Sequence, residues 1–152
     1  MKELGELIRD GEFIKKDYVD KVDFLNDISD FLIERGFVKE KFKEEIIKRE
    51  EQFPTGLLTK RMNVSIPHSE EEYVLKEGII VTNFPKKLKF NRMDKPNEEI
   101  KVDISFILLL KDKNKHITVL QQLADLFQSQ MLLEIKNCNS KEDIYQLLRE
   151  AD

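Results

Sequence analysis

The chain has 152 residues, 40% of them hydrophobic and 37% charged, with a formal net charge of −4. That length predicts one domain over residues 1–152, with a core large enough to need no covalent staples. The 26 basic and 30 acidic residues are closely mixed, which argues against nucleic acid as the main partner, because phosphate contacts need a net basic face.

The single cysteine, Cys138, has no partner for an internal disulfide. The segment Met1-Lys2-Glu3-Leu4-Gly5-Glu6 is charged and lacks a signal-peptide core. The longest apolar run, Ile104 to Leu110 with Ser105 inside it, is far shorter than the roughly 20 residues of a membrane helix. These features predict a reducing, cytoplasmic setting without membrane insertion. The basic clusters Lys86-Lys87-Leu88-Lys89 and Lys111 to Lys115 read as solvated edges or loops.

In chain order, Glu12 to Lys16 predicts an edge strand carrying Phe13 and Ile14. Val22, Leu25, Ile28, Ser29 and Leu32 recur with a helical period, widened by Phe24, Phe31 and Ile33. Gly36, just after Arg35, stops that helix. A second helix is expected from Lys39 to about Glu51, with Phe42, Ile46 and Ile47 inward, ended by Phe53-Pro54-Thr55-Gly56. Short strands follow at Val64 to Ile66, Gly78 to Thr82 and Leu88 to Asn91, then a polar loop from Asn91 to Glu99. Val102 to Leu110 is apolar almost throughout, as expected of a strand buried on both faces.

Lys111 to Lys115 reads as a loop, and His116 to Gln128 as a helix with Ile117, Leu120, Ala124 and Phe127 on its stripe, broadened by Leu123 and Leu126. Met131 to about Lys136 is a short helix. Ser140 caps a last one with Asp143 three positions on, and Ile144, Leu147 and Leu148 face inward. Helices flank strands in both halves, so the expected fold is α/β: three layers, α/β/α, around a central mixed sheet.

Candidate chemistry emerges by elimination. No glycine-rich phosphate loop, dinucleotide fingerprint or G-x-S-x-G elbow is present. One cysteine and two distant histidines make no Cys/His zinc site within the chain. Glu70-Glu71-Glu72 makes a poor carboxylate metal site, because consecutive side chains point in different directions. His68, His116, Arg49 and Glu50 remain. His68 follows a rigid proline in Ser65-Ile66-Pro67-His68-Ser69, at a strand-to-loop exit. His116 falls at a helix start, where free N–H groups favour anions. If both histidines reach one sheet edge, they and Arg49 frame a phosphate-sized pocket. On spacing alone, two unrelated surface histidines is the simpler reading.

The order Arg49-Glu50, Phe53-Pro54-Thr55-Gly56-Leu57, Ile66-Pro67-His68, the apolar strand ending Leu108-Leu109-Leu110, then His116 with Leu120 and Leu123 resembles the enzyme IIA (EIIA) domain of the bacterial phosphoenolpyruvate-dependent sugar phosphotransferase system (PTS). The likeness is to the fructose–mannitol, or type 2, superfamily, nearest its galactitol-like branch. Ser65 and Ser69 stand where that family frequently has alanine and glycine.

The resemblance implies that His68 is the phosphorylated nucleophile and that His116 hydrogen-bonds the phosphoryl group. It also implies that Arg49 stabilises its charge and that Thr55 shapes the pocket. It implies no metal or cofactor. The expected donor is phospho-HPr and the expected acceptor a cysteine of a cognate EIIB, serving a sugar or sugar alcohol (galactitol, fructose or mannitol type) that enters through the EIIC permease. A neutral imidazole suits this work, since its phosphoramidate still transfers readily. Glu70-Glu71-Glu72 reads either as a solvated acidic turn or as a docking rim for a basic partner. A regulatory EIIA-like module, as in the nitrogen-related branch, is the alternative reading.

Overall fold

The computed structural model describes residues 1–151. Among these residues six α-helices and five strands follow in the order α1 (Lys2–Asp10), β1 (Glu12–Lys15), α2 (Lys21–Glu34), α3 (Phe42–Gln52), β2 (Gly56–Leu57), β3 (Val64–Ser65), β4 (Gly78–Asn91), β5 (Glu99–Leu109), α4 (Lys113–Phe127), α5 (Met131–Lys136) and α6 (Lys141–Glu150), with a short 3-10 turn at Glu71–Tyr73. The strands form one mixed sheet in the order β1-β4-β5-β3-β2. β1 runs parallel to β4, β4 antiparallel to β5, β5 parallel to β3, and β3 antiparallel to β2.

The alternation of side chains along β5 builds the layers. Ile104, Phe106, Leu108 and Leu110 face one core with Leu4, Leu7 and Ile8 of α1, Val119, Leu123 and Leu126 of α4, and Ile144 and Leu148 of α6. Ile107 and Leu109 face the other, with Phe24, Leu25, Ile28 and Leu32 of α2 and Phe42 and Ile46 of α3. The fold is therefore a three-layer α/β/α sandwich, and β5 is buried on both faces as expected. Each such aliphatic side chain contributes about 1.5–3 kcal/mol on burial.

Local signals behave as their chemistry requires. Asp20 caps α2 by accepting the Asp23 N–H at 2.8 Å, and Ser140 caps α6 by accepting the Asp143 N–H at 3.1 Å. Gly36 follows α2 with φ of 78°, the left-handed conformation that suits glycine.

Several features differ from the sequence expectations. Helix α1 was not expected, yet Leu4, Leu7 and Ile8 bury one face of it. Helix α3 begins at Phe42 rather than Lys39. Gly78 to Asn91 is a single strand rather than two, its pairing with β5 interrupted only between Asn83 and Leu88. Pro85 lies in that irregularity, where its missing N–H breaks no ladder bond, and Lys136 fastens the bulge by donating to Asn83 Oδ1, the Phe84 carbonyl and the Asp103 carbonyl.

Helix α4 begins at Lys113, because Asp112 caps it by accepting the Asn114 N–H at 2.9 Å. Its inward stripe is Val119, Leu123, Leu126 and Phe127, leaving Ile117 62% and Leu120 38% exposed, with Ala124 also outside. Val22 is likewise exposed on α2.

Candidate active site

His68 sits where β3 leaves the sheet. The Leu108 N–H of β5 donates to the Pro67 carbonyl at 3.0 Å, and His68 bridges to Leu108 in parallel register. This is the carboxyl end of a parallel strand pair, the usual place for a ligand in an α/β sheet. β5 ends at that same edge, and the chain turns there into α4. His116 occupies the first turn of that helix rather than its opening residue, its N–H donating to the Asp112 carbonyl at 3.1 Å.

The turn before α4 is held from the neighbouring strand. Glu77, just ahead of β4, accepts the Lys111 N–H at 2.7 Å and the Asp112 N–H at 3.2 Å. These main-chain bonds hold Glu77 below the usual carboxylate range despite its partial burial. The role of Glu77 was not read from the sequence, where an acidic residue before a glycine carries no distinguishing signal.

The two imidazoles meet edge to face, with ring centroids 6.4 Å apart and planes at 82°. His68 Nδ1 lies 2.9 Å from the Ile66 carbonyl oxygen. A carbonyl only accepts, so the proton is on Nδ1 and Nε2 keeps its lone pair. Burial pushes the His68 pKa below its ordinary value, and the nearby Arg49 and His116 push the same way, against the Ile66 carbonyl and Glu70. The ring is thereby kept neutral near pH 7, as a nucleophile requires.

A cavity of about 230 Å³ opens over these rings, with Arg49, Ser69, Glu70 and Leu108 also in its wall. Arg49 Nη1 donates to Glu70 Oε1, and its guanidinium lies 5.8 Å from the centre of the exposed Phe53 ring. His68, His116 and Arg49 are thus brought together as the pocket reading anticipated. A fixed guanidinium, a helix N-terminus and a second imidazole make a site suited to a small anion.

Thr55 is placed differently. It is buried away from the cavity wall, with both its main-chain N–H and its hydroxyl directed at Glu50. Glu50, a buried carboxylate, accepts them at 2.8 Å and 2.7 Å. Burial pushes its pKa up to about 7, against the opposing effect of the Thr55 bonds and Lys21. Five residues of separation at a helix end, followed by Phe-Pro-Thr, was the available signal for this pair.

Among the described residues no helix is long and apolar enough to cross a membrane.

Fold and site together set a cavity suited to a small anion at the carboxyl edge of a mixed sheet. The sequence matches the family described as "Phosphoenolpyruvate-dependent sugar phosphotransferase system, EIIA 2" over residues 8–151, and the chain belongs to that family of phosphohistidine-carrying phosphotransferases. It is 24% identical over 117 residues to the galactitol-specific EIIA component of the Escherichia coli PTS (strain K12), covering 77% of each chain. Its fold is similar to a putative PTS IIA from Streptococcus mutans, with a TM-score of 0.74 at 19% identity over 97% of this chain and 93% of that one. It is also similar to a chain in the complex of Escherichia coli mannitol enzyme IIA with phosphorylated enzyme IIB, with a TM-score of 0.69 at 18% identity over 91% and 93%.

Proposed function

We propose that His68 Nε2 is the phosphoryl acceptor of this EIIA, with phospho-HPr as donor and a cysteine of a cognate EIIB as the next carrier. The observation that carries the reading is the Nδ1–H bond from His68 to the Ile66 carbonyl, which leaves Nε2 as the free nucleophile beside His116. In the first step the Nε2 lone pair attacks phosphorus and the N–P bond of phospho-HPr breaks. In the second a cysteine thiolate attacks the same phosphorus, and the electron pair of the N–P bond returns to Nε2. His116 and Arg49 steady the phosphoryl oxygens in both steps. The donor's N–P bond carries the energy, so the transfer as proposed runs without nucleotide or metal.

Thr55 acts on the pocket through the turn it holds. Ile117 and Leu120, exposed beside His116, give a protein partner an apolar contact. Glu71, in the cavity wall with Glu70, and the exposed Glu72 are charges that steer the donor. The galactitol-specific relative favours a sugar alcohol as final cargo, entering through a permease, with residues 1–152 acting as one cytoplasmic carrier domain.

The test is transfer of label from phosphoenolpyruvate through enzyme I and HPr. Wild type takes label and His68→Ala does not, whereas His116→Ala accepts it but passes it to EIIB slowly. Label on His68→Ala refutes the assignment. In the same assay Glu71→Gln/Glu72→Gln slows acceptance more at low salt than at high salt, and an unchanged salt dependence removes the steering role.

A further inference from the structure

We infer that Glu50 is a positioning residue for His68, fixing the orientation of the imidazole through the Thr55 turn and the main chain of Ile66. This rests on the assignment of His68 as acceptor. The connection is a run of hydrogen bonds in which each residue is held by the one before it. Glu50 is only 2% exposed. Its Oε2 accepts the Thr55 N–H and its Oε1 accepts the Thr55 hydroxyl. Thr55 in turn offers its carbonyl to the Ile66 N–H at 3.3 Å. Ile66 then offers its own carbonyl to His68 Nδ1 at 2.9 Å. The run begins at a buried carboxylate and ends on the ring nitrogen that decides which tautomer is present.

The turn is held on its other side as well, so displacement at Thr55 is not absorbed there. Gly56 pairs with Ser65 of β3, and its carbonyl accepts the Met93 N–H at 2.8 Å. A Cβ at Gly56 would lie 2.6 Å from the Asn91 carbonyl oxygen. With the β4–β5 hairpin against one side and Glu50 against the other, Thr55 holds the Ile66 N–H from the side of the turn, while β5 holds the flanking Ser65 and Pro67.

An amide at position 50 can keep both bonds, its oxygen accepting from the Thr55 N–H and its NH2 donating to the Thr55 hydroxyl, whereas a methyl group makes neither. No salt bridge is formed by Glu50 among the described residues. Lys21, the nearest cation, donates instead to Asn91 Oδ1 at 2.9 Å. Glu50 also lines a pocket with Lys21, Glu51 and the apolar Val22, Leu25 and Ile47. A buried carboxylate without an ion pair is a costly acceptor, and its two bonds serve one residue of the turn that leads to His68.

The experiment uses the full chain with Glu50→Ala and Thr55→Val. Long-range ¹H–¹⁵N NMR of the unphosphorylated protein reads the His68 tautomer directly. Wild type shows the Nδ1–H form, and Glu50→Ala shows a mixture with Nε2–H. The limiting rate of label transfer from phospho-HPr falls about tenfold, the low end of the loss when a histidine's orienting partner is removed at metal sites. The half-saturating phospho-HPr concentration stays within twofold, because docking is untouched. Thr55→Val keeps one of the two bonds and gives a smaller change in the same direction.

A folded Glu50→Ala protein with the wild-type tautomer and limiting rate overturns the inference. If that variant does not fold, Thr55→Val carries the test, and wild-type values for both readouts overturn it. The tautomer measurement is independent of phosphoryl transfer, so labelling of His68→Ala would refute the acceptor assignment without being mistaken for failure at Glu50.

Discussion

Glu50 makes a thermodynamic prediction separate from its effect on the imidazole. Its pKa is about 7 in the folded chain against an ordinary 4.5, and burial is the main cause. Between those values the folded chain binds a proton that the unfolded chain has released. Stability therefore falls as pH rises through that window, and levels off above about pH 7. At about 1.36 kcal/mol per pH unit, the full span amounts to about 3 kcal/mol, a large part of the roughly 5–15 kcal/mol that holds a domain folded. Glu50→Gln removes this titration and leaves every other group in place. The assay is urea unfolding of wild type and Glu50→Gln at intervals from pH 5 to pH 8, read as the difference in unfolding free energy. That difference should move against wild type by about 2–3 kcal/mol across the range, with m-values unchanged. A difference constant to within about 0.5 kcal/mol would refute the reasoning, since a buried carboxylate without a cation cannot titrate like a solvated one.

Two further outcomes are expected. His68, whose pKa is lowered chiefly by burial, should titrate by NMR with a midpoint below its ordinary 6.5. The sign is opposite to that at Glu50: the unfolded chain binds the proton first, so this residue adds stability as pH rises toward 6.5. A midpoint at or above 6.5 contradicts the site's electrostatics. Gly56→Ala, which sets a methyl 2.6 Å from the Asn91 carbonyl oxygen and 3.1 Å from Ile100 Cδ1, should cost about 1–3 kcal/mol through overpacking. For a chain of this size that is a Tm lowered by roughly 5 °C in calorimetry, and an unchanged Tm would mean the hairpin does not press on the turn.

What the sequence disclosed depended on whether the physics was local. The Ser140 cap, the Gly36 stop, the periodicity of α6 and, apart from the exposed Val22, that of α2 are settled within a few residues, and they are where expected. Helix α1 was passed over because only Leu4, Leu7 and Ile8 mark its face, and its nine residues are otherwise mostly charged. On α4 two apolar faces compete, Ile117–Leu120–Ala124 and Val119–Leu123–Leu126. Which one turns inward is decided by the sheet, not by the helix. The gap expected between Thr82 and Leu88 is absorbed by β4 as a bulge, where Lys136 reaches across from α5 to the Asn83, Phe84 and Asp103 acceptors. The likeness to a known family named His68, His116 and Arg49 as site residues, but their approach depends on β3 pairing in parallel with β5, a contact between residues about forty positions apart. No local rule fixes such a register.

That pairing also explains how the site is held. His68 is tethered through Pro67 to Leu108 and through Ile66 to Thr55 and Glu50. His116 is tethered through Asp112 to Glu77 at the start of β4. No hydrogen bond joins the two imidazoles, which meet only as rings 6.4 Å apart. Their separation is therefore a property of the sheet edge. Removing the His116 ring leaves the Nδ1 bond of His68, and so its free Nε2, intact. His116→Ala is therefore expected to separate acceptance of the phosphoryl group from its onward transfer, whereas a change at Glu50 is expected to reach the proposed nucleophile itself.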